Sequence, residues 1–458
     1  MLDPSVTREM LEQRGKGGLG VLTEKYFFGY EPNSSPLPDF EEAGVELKTT
    51  PLKELQNGRQ IPKERLVCDI INYCDVVNVP FEESAFYRKS ILMLILFYFH
   101  VSGRPLCDLE FLYSVLWQIK DKDLTIIRQD YEFIVNKIRN GLAHELSEGD
   151  TMYLGACRKG QKGDPLRKQP FNDQGAPQRA FSLKQSYLRT ILEFVKSSGK
   201  SIATNTDVEI EEKQLVSTAQ LEKESFEDVL INRFKPFVGK DYKQIARHFK
   251  MKVSPKEKSK YARVAKRILL KGLNQFEDAE EIRKAGIIAK TIRINANGTI
   301  RESMSFENID YNEIYSNDEW VESRWYEIVT SKFMFVVFRE EPSPRWKKEK
   351  RYVFDRLIFW TMPNEDIEDA EKYWENLRKN VLADTLLDAQ NDFWQQGQHR
   401  KFHVRPKARI SAEKYLSPIS GIEVPKKAYW FNSEYVTKIL QTAYGKEWSN
   451  KFKSDKNA

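Results

Sequence analysis

Four stretches in the first half of this chain return in the second half at almost the same distance. AGVELKT at residues 43–49 reappears as AGIIAKT at 285–291, and QDYEF at 129–133 as KYWEN at 372–376. Arg158-Lys159-Gly160 is matched by Arg405-Pro406-Lys407, and PQRAFSL at 177–183 by PKKAYWF at 425–431. The separation is 242 positions between Lys48 and Lys290, 243 between Tyr131 and Trp374, and 248 between Ser182 and Trp430. Self-similarity at a steady offset marks a unit used more than once. It restricts the fold severely, because whatever the first copy builds the second must build too. We read one domain duplicated: a first copy at 1–200, a polar linker rich in small residues at 201–222, and a second copy at 223–458.

With 458 residues, each copy is long enough to bury a core of its own. Hydrophobic residues make up 40% and aromatic ones 12%, which excludes a disordered chain. The net charge of +6 permits an anionic partner without demanding one. Four cysteines with no Cys-x-x-Cys pair suggest neither a zinc ribbon nor a disulfide framework, so a reducing, cytoplasmic setting is expected. The charged N-terminus has no apolar h-region, and no signal peptide is expected. The most apolar run, Ser90 to Val101, is too short for a bilayer, which takes about 20 residues; it predicts a buried strand. Further strands are expected at Val45–Thr50, Leu66–Ile71 and Ile91–Phe99. Helices are expected at Val6–Arg14, through Glu24 and Tyr26, and at Asp123–His144. GKGGLG at 15–20 lacks the Lys-Ser/Thr ending of a phosphate loop and predicts only a flexible join.

One short segment carries chemistry. Along a strand side chains alternate faces, so Glu46 and Lys48 point the same way while Val45 and Leu47 turn to the core. Small Ala43 and Gly44 allow a turn that returns Asp39 to their side. Two carboxylates can then hold a hard divalent cation, with an ammonium beside the water or phosphate. In the second copy Ile288 stands opposite Glu46 and Glu281 opposite Asp39, and only Lys290 survives. That copy is expected to be catalytically dead yet able to bind what the first copy cuts. Each copy also carries a concentrated basic stretch, 151–190 and 399–427, with eight Lys or Arg against two Asp or Glu in each. Phosphate contacts supply most affinity for DNA, and Arg or Lys in a groove can read guanine edges. A solvated basic loop is the alternative; recurrence at the matching place favours nucleic acid.

LGVLTEKYFFG, PDFEEAGVELKT, IRQDYEF, RKG and PQRAFSLK, in that order over residues 8–195, resemble MutH and the MutH-like restriction endonucleases that cut at GATC. The tandem arrangement is more similar to the long restriction enzymes of that group than to the single-domain repair protein. The resemblance implies an α/β fold of two tandem restriction-endonuclease-like domains, each a central mixed β-sheet flanked by helices. It implies Mg²⁺ on Asp39, Glu46 and the Leu47 carbonyl, with Lys48, Glu24 and Lys89 as further catalytic groups. It implies a loop at Arg158 and Lys159 entering the major groove, where the family's usual Arg-Pro-Lys is replaced by Arg-Lys-Gly. Arg179, Ser182, Lys184, Arg405 and Lys407 complete the implied DNA-binding set. Ser182 stands where the repair protein has a tyrosine that senses adenine methylation, which implies a cutter indifferent to that mark. The expected partner is double-stranded DNA, held at two sites per chain or by a dimer, and no membrane. The rival readings are a methyl-directed nicking endonuclease and a non-cleaving DNA-binding regulator.

Overall fold

The apolar run comes to rest in a central strand, Leu92–Phe99, and the first copy is arranged around it. A computed structural model describes residues 18–452 except 34, 56–57, 102, 162, 207–214, 271–278, 301, 318, 342–349, 388–390 and 411. The expected helix Val6–Arg14 and the first three residues of GKGGLG lie outside the described residues. The described residues fall into two compact units, one within Met1–Ser225 plus Glu280–Gly286 and one within Phe226–Ala279 plus Ile287–Ala458.

In the first unit helix α1 (Gly18–Leu22) precedes β1 (Glu46–Glu54), β2 (Gln60–Pro62) and β3 (Leu66–Ile70). Helix α2 (Ala85–Ser90) leads into β4 (Leu92–Phe99) and β5 (Phe111–Gln118), and α3 (Asp121–Arg139) follows. Then come β6 (Leu154–Arg158), β7 (Arg167–Gln169), β8 (Asn172–Ala176), β9 (Arg179–Leu183), α4 (Gln185–Ser197) and β10 (Ile202–Thr204). The main sheet has the order β10-β5-β4-β1-β2, with β4 parallel to β1 and antiparallel to β5. Central position explains the composition of β4: Met93, Ile95 and Phe97 are fully buried, and Leu94, Leu96 and Tyr98 alternate with them on the other face. A second sheet runs β3-β9-β6, and β7-β8 is a hairpin. Helix α3 lays Ile126, Tyr131, Ile134 and Ile138 into the core at helical spacing.

The second unit repeats this order. Its elements are β11 (Ile288–Ile294), β12 (Met304–Asn308), α5 (Arg324–Val329), β13 (Phe333–Glu340), β14 (Tyr352–Trp360) and α6 (Asn364–Leu382). They continue with β15 (Phe402–Pro406), β16 (Lys414–Leu416), β17 (Glu423–Pro425), β18 (Lys427–Phe431) and α7 (Ser433–Tyr444). The order β11-β13-β14 matches β1-β4-β5 with the same parallel and antiparallel pairings, and β12-β18-β15 matches β3-β9-β6. Single bonds recur as well. Ser84 caps α2 through the Tyr87 N–H and Ser323 caps α5 through the Tyr326 N–H, each at 3.0 Å. The Tyr73 hydroxyl donates to the Pro177 carbonyl and Tyr311 to Pro425. Tyr187 donates to Asp123 of α3 and Tyr435 to Asp366 of α6. The repeated sequence thus folds into a repeated topology of mixed sheets flanked by helices.

Two expectations need correction. Residues 202–204, inside the expected linker, form edge strand β10 beside β5, and Asn205 trades hydrogen bonds with the Gln118 backbone at 2.7 and 2.9 Å. Leu215, Val216 and Leu221 are buried. Edge pairing uses backbone groups, so a polar, aromatic-free sequence concealed it. Glu281, set opposite Asp39 by the repeat, has no corresponding place. It belongs to the first unit, wholly buried, where it accepts from Lys122 (3.1 Å) and from the Leu215 and Val216 N–H groups. Among the described residues no helix is long and apolar enough to cross a membrane.

The second core is centred on Trp325, fully buried, stacked on Tyr429 with centroids 4.9 Å apart, its indole N–H donating to the Ala370 carbonyl at 3.1 Å. Trp325→Ala should lower stability by about 3–5 kcal/mol. Denaturant unfolding checks this, and a loss under about 1 kcal/mol would show that the core does not depend on that contact.

Candidate active site on the first strand

The site begins with a turn. Phe40 bridges to Val45, residues Glu41–Ala43 make one tight helical turn, and Gly44 closes it at φ 64°, a left-handed conformation suited to glycine. That returns Asp39 to the strand, where its Oδ2 accepts the Leu47 N–H at 2.9 Å. On β1 Glu46 lies opposite Met93 and Lys48 opposite Ile95. Strand alternation brings their side chains together: Lys48 Nζ is 2.6 Å from Glu46 Oε1. Lys89, in the last turn of α2, reaches the same oxygen at 4.0 Å. Glu24 comes from the turn Thr23–Phe27 after α1, and its carboxyl is influenced by Asp39, Glu46, Lys89 and Lys48 together. The structure therefore brings Asp39, Glu46, Lys48, Lys89 and Glu24 into one electrostatic cluster.

Burial sets the protonation. Glu46 is 3% exposed, and desolvation pushes its carboxyl up against the pull of Lys48. Glu24 is raised by burial and then by Asp39 and Glu46. Burial works against the Lys48 ammonium, but Glu46 outweighs it and the pKa rises, so Lys48 stays charged at neutral pH. Glu46 Oε2 is buried without a hydrogen-bond partner, an uncompensated acceptor of the kind a cation would satisfy. Two carboxylates of this kind suit a hard divalent ion. No group of three His, Cys, Asp or Glu side chains among the described residues could hold a metal ion, so a carbonyl such as that of Leu47, water or phosphate must complete the shell. Sequence reasoning missed Asp69 on β3, whose carboxyl is raised by burial and drawn down by Lys89 and Lys48. Its signal appears only once β3 is placed, since nothing local links it to the motif.

The DNA-binding candidates divide. Arg158 is exposed at the end of β6, and the Lys159 N–H holds the Gln178 carbonyl at 2.8 Å. Gly160 follows at φ 83°, against Asp164, whose Oδ2 takes the Gln161 N–H at 2.7 Å; a side chain at position 160 would collide with that carboxylate. The Lys407 N–H makes the matching bond to the Lys426 carbonyl at 3.0 Å, so the strand registers set Lys159 against Lys407 and Arg158 against Pro406, one position off the match read from sequence. Arg405 is exposed 5.4 Å from the Trp430 ring, and exposed Lys407 donates to the Phe306 carbonyl. Arg179 and Ser182 are buried and Lys184 is half-buried. Arg179 is buried and donates to the Ala156 carbonyl at 2.7 Å, Lys184 donates to the Thr151 carbonyl, and Ser182, 1% exposed, faces the Gly155 carbonyl at 3.4 Å. Arg179 and Ser182 hold β9 to its neighbour β6, because the middle strand of a sheet turns its polar groups to backbone, while half-buried Lys184 follows the strand.

In the second unit Ile288 occupies the place of Glu46, opposite Phe333, and Lys290 that of Lys48, opposite Phe335. Lys290 donates to the Ser305 carbonyl at 2.6 Å and lies 4.4 Å from the Phe306 ring centre. Burial, and then Lys407, push its ammonium down to about 8.

Residues 28–130 match the family profile of the DNA mismatch repair enzyme MutH. The type II restriction enzyme Sau3AI of Staphylococcus aureus is 33% identical over 476 aligned residues, 94% of this chain and 93% of that protein. The DNA mismatch repair protein MutH of Shewanella woodyi is 27% identical over 187 residues, 39% of this chain and 77% of that protein. That of Shigella flexneri is 31% identical over 156 residues, 33% and 64% respectively. The repair proteins thus align with little more than a third of the chain, the restriction enzyme with nearly all of it.

The raised Glu24 carboxyl carries a pH signature. A carboxyl whose folded pKa lies above its unfolded value contributes fully at pH below the unfolded value and loses that contribution as pH rises. In chelator, Glu24→Gln should therefore melt higher than the parent at pH 7, with the difference vanishing toward about pH 4. Thermal melts across that range check it, and a lower melting temperature at pH 7 would refute the crowding of carboxylates.

Proposed function

The chain belongs to the MutH-related family of type II restriction endonucleases, and from that premise we propose that it hydrolyses phosphodiester bonds of double-stranded DNA at 5′-GATC-3′ with Mg²⁺. The buried, unpartnered Oε2 of Glu46 beside a charged Lys48 carries this reading. Asp39, Glu46 and the Leu47 carbonyl would hold the cation. When bound, such an ion polarises the scissile phosphate and lowers the pKa of its water. Lys48, kept charged by Glu46, would stabilise negative charge on the phosphate, a term that is usually large. Lys89 adds a second cation to the same place, and Glu24 a carboxylate at its rim. The turn held by Gln178 and Asp164 would offer Arg158 and Lys159 to base edges in the major groove.

The first unit would cut and the second would hold DNA through Arg405 and Lys407 without cutting, since Ile288 cannot ligate a cation. Two DNA-holding units would let one chain engage two sites, or two chains pair on DNA. Serine rather than tyrosine at position 182 leaves no ring to meet an adenine methyl group, and cleavage would be indifferent to adenine methylation. This reading places the chain in the cytoplasm, where unpaired cysteines and DNA are both expected.

The test is a plasmid digest. The parent protein should linearise adenine-methylated and unmethylated GATC plasmid alike, and Asp39→Ala or Lys48→Ala should slow cleavage by at least about 10²-fold with melting curves retained. Normal cutting by either variant would remove the site assignment. A nicked plasmid, or one protected by methylation, would point to repair-type nicking instead.

A further inference from the structure

The field of the site changes sign between the two copies. Around Lys48 stand Asp39, Glu46 and Glu24, whereas Lys290 feels Lys407 more strongly than Glu307 and has no acid in the place of Glu46. A cavity of about 580 Å³ in the second unit is lined by Lys290, Lys260, Arg293 and Lys350 against one carboxylate, Glu302. That carboxylate is engaged by the Arg293 guanidinium at 3.0 Å. Lys350 in turn pairs with Glu340 at 3.0 Å, and Lys290 and Lys260 keep the balance positive, which favours an anion over a metal ion. Its size lies within the range of about 300–1,000 Å³ typical of small-molecule sites.

Aromatic rings form the other part of the wall. Buried Tyr242 and Tyr261, each 6% exposed, and half-buried Tyr352 contribute ring edges to the same cavity. Tyr261 packs edge-on against Tyr242 at 5.4 Å and Tyr352 at 5.9 Å. The Arg293 guanidinium lies 5.5 Å from the Tyr261 ring centre and 5.8 Å from that of Tyr352. Lys260 lies 5.0 Å from the Tyr242 ring centre. Cations beside aromatic faces hold a phosphate and a planar base together, because every nucleobase has a face to stack and carries its phosphate a short distance away. Retention of Lys290 points the same way. A half-buried ammonium facing Ile288 rather than a carboxylate is unfavourable for folding alone. Among the described residues it donates to one carbonyl, that of Ser305, which leaves two of three ammonium protons for an incoming acceptor.

We propose that this cavity binds a nucleotide, its phosphate against Lys290 and Arg293 and its base among Tyr242, Tyr261 and Tyr352. The phosphate-bearing nucleotide can come free or as part of a DNA strand. This site goes beyond cutting by the first unit, and either can fail without the other.

The test is calorimetric titration of the full chain in chelator with dGMP, deoxyguanosine and inorganic phosphate. dGMP should bind with Kd below about 1 mM, and the nucleoside and the bare ion at least about tenfold more weakly. Lys290→Met and Arg293→Gln should each weaken dGMP at least about tenfold. The first removes a half-buried charge and keeps a side chain of similar length, and melting curves of both variants check that they fold. A short duplex that displaces dGMP assigns the ligand to a DNA strand, and one that fails to displace it assigns a free nucleotide; both uphold the site. Inorganic phosphate as tight as dGMP would overturn the nucleotide class. Absence of dGMP binding, or dGMP binding undiminished in both variants, would overturn the site.

Discussion

Taking an ammonium and a carboxylate out of water costs several kcal/mol each, and on β1 the two meet at 2.6 Å to offset it. The remainder of the first unit secures that meeting. Parallel pairing with β4 fixes the strand's register, the turn at Gly44 ties Asp39 to the Leu47 N–H, and the Ser84 cap sets the helix that delivers Lys89. The pair satisfies only one oxygen of Glu46. The other is buried and bare, so the strand is poised for a cation that the fold itself does not supply. A stable core and an unsatisfied site are here the same residues.

The second unit keeps the strand without the pair. It keeps the strand order, the caps and the tyrosine–aspartate bond, yet replaces Glu46 with Ile288 and leaves the lysine behind. A lysine without its acid is pushed toward deprotonation, and the cavity around it is lined by cations and tyrosines with the one carboxylate of Glu302. One fold thus carries two opposite electrostatic sites, one suited to a metal ion and one to an anion. Similarity to a restriction enzyme over both units, against similarity to repair proteins over about a third of the chain, fits a pair kept together.

Much of this was legible in the sequence because the key relations are local. Glu46 and Lys48 share a face by strand alternation, β4 is apolar from end to end, and the repeat announces itself by offset. What stayed hidden depends on contacts between distant residues. Asp69 joins the site only when β3 is placed. The linker concealed an edge strand because backbone pairing leaves little trace in side chains. Glu281 aligned with Asp39 in sequence but serves a buried bond to Lys122. Arg179, Ser182 and Lys184 read as DNA contacts because the resemblance placed them there, and the sheet buries Arg179 and Ser182. The cavity at Lys290 gathers residues from Tyr242 to Val436, a span no motif covers.

The central claim is one metal-holding centre per chain beside a twin that cannot hold a metal. Electron paramagnetic resonance of Mn²⁺ titrated into the full chain, with and without Glu46→Gln, addresses it directly. The account predicts protein-bound Mn²⁺ in the parent and none above the free-ion background in the variant. Site-bound Mn²⁺ persisting in Glu46→Gln would contradict it.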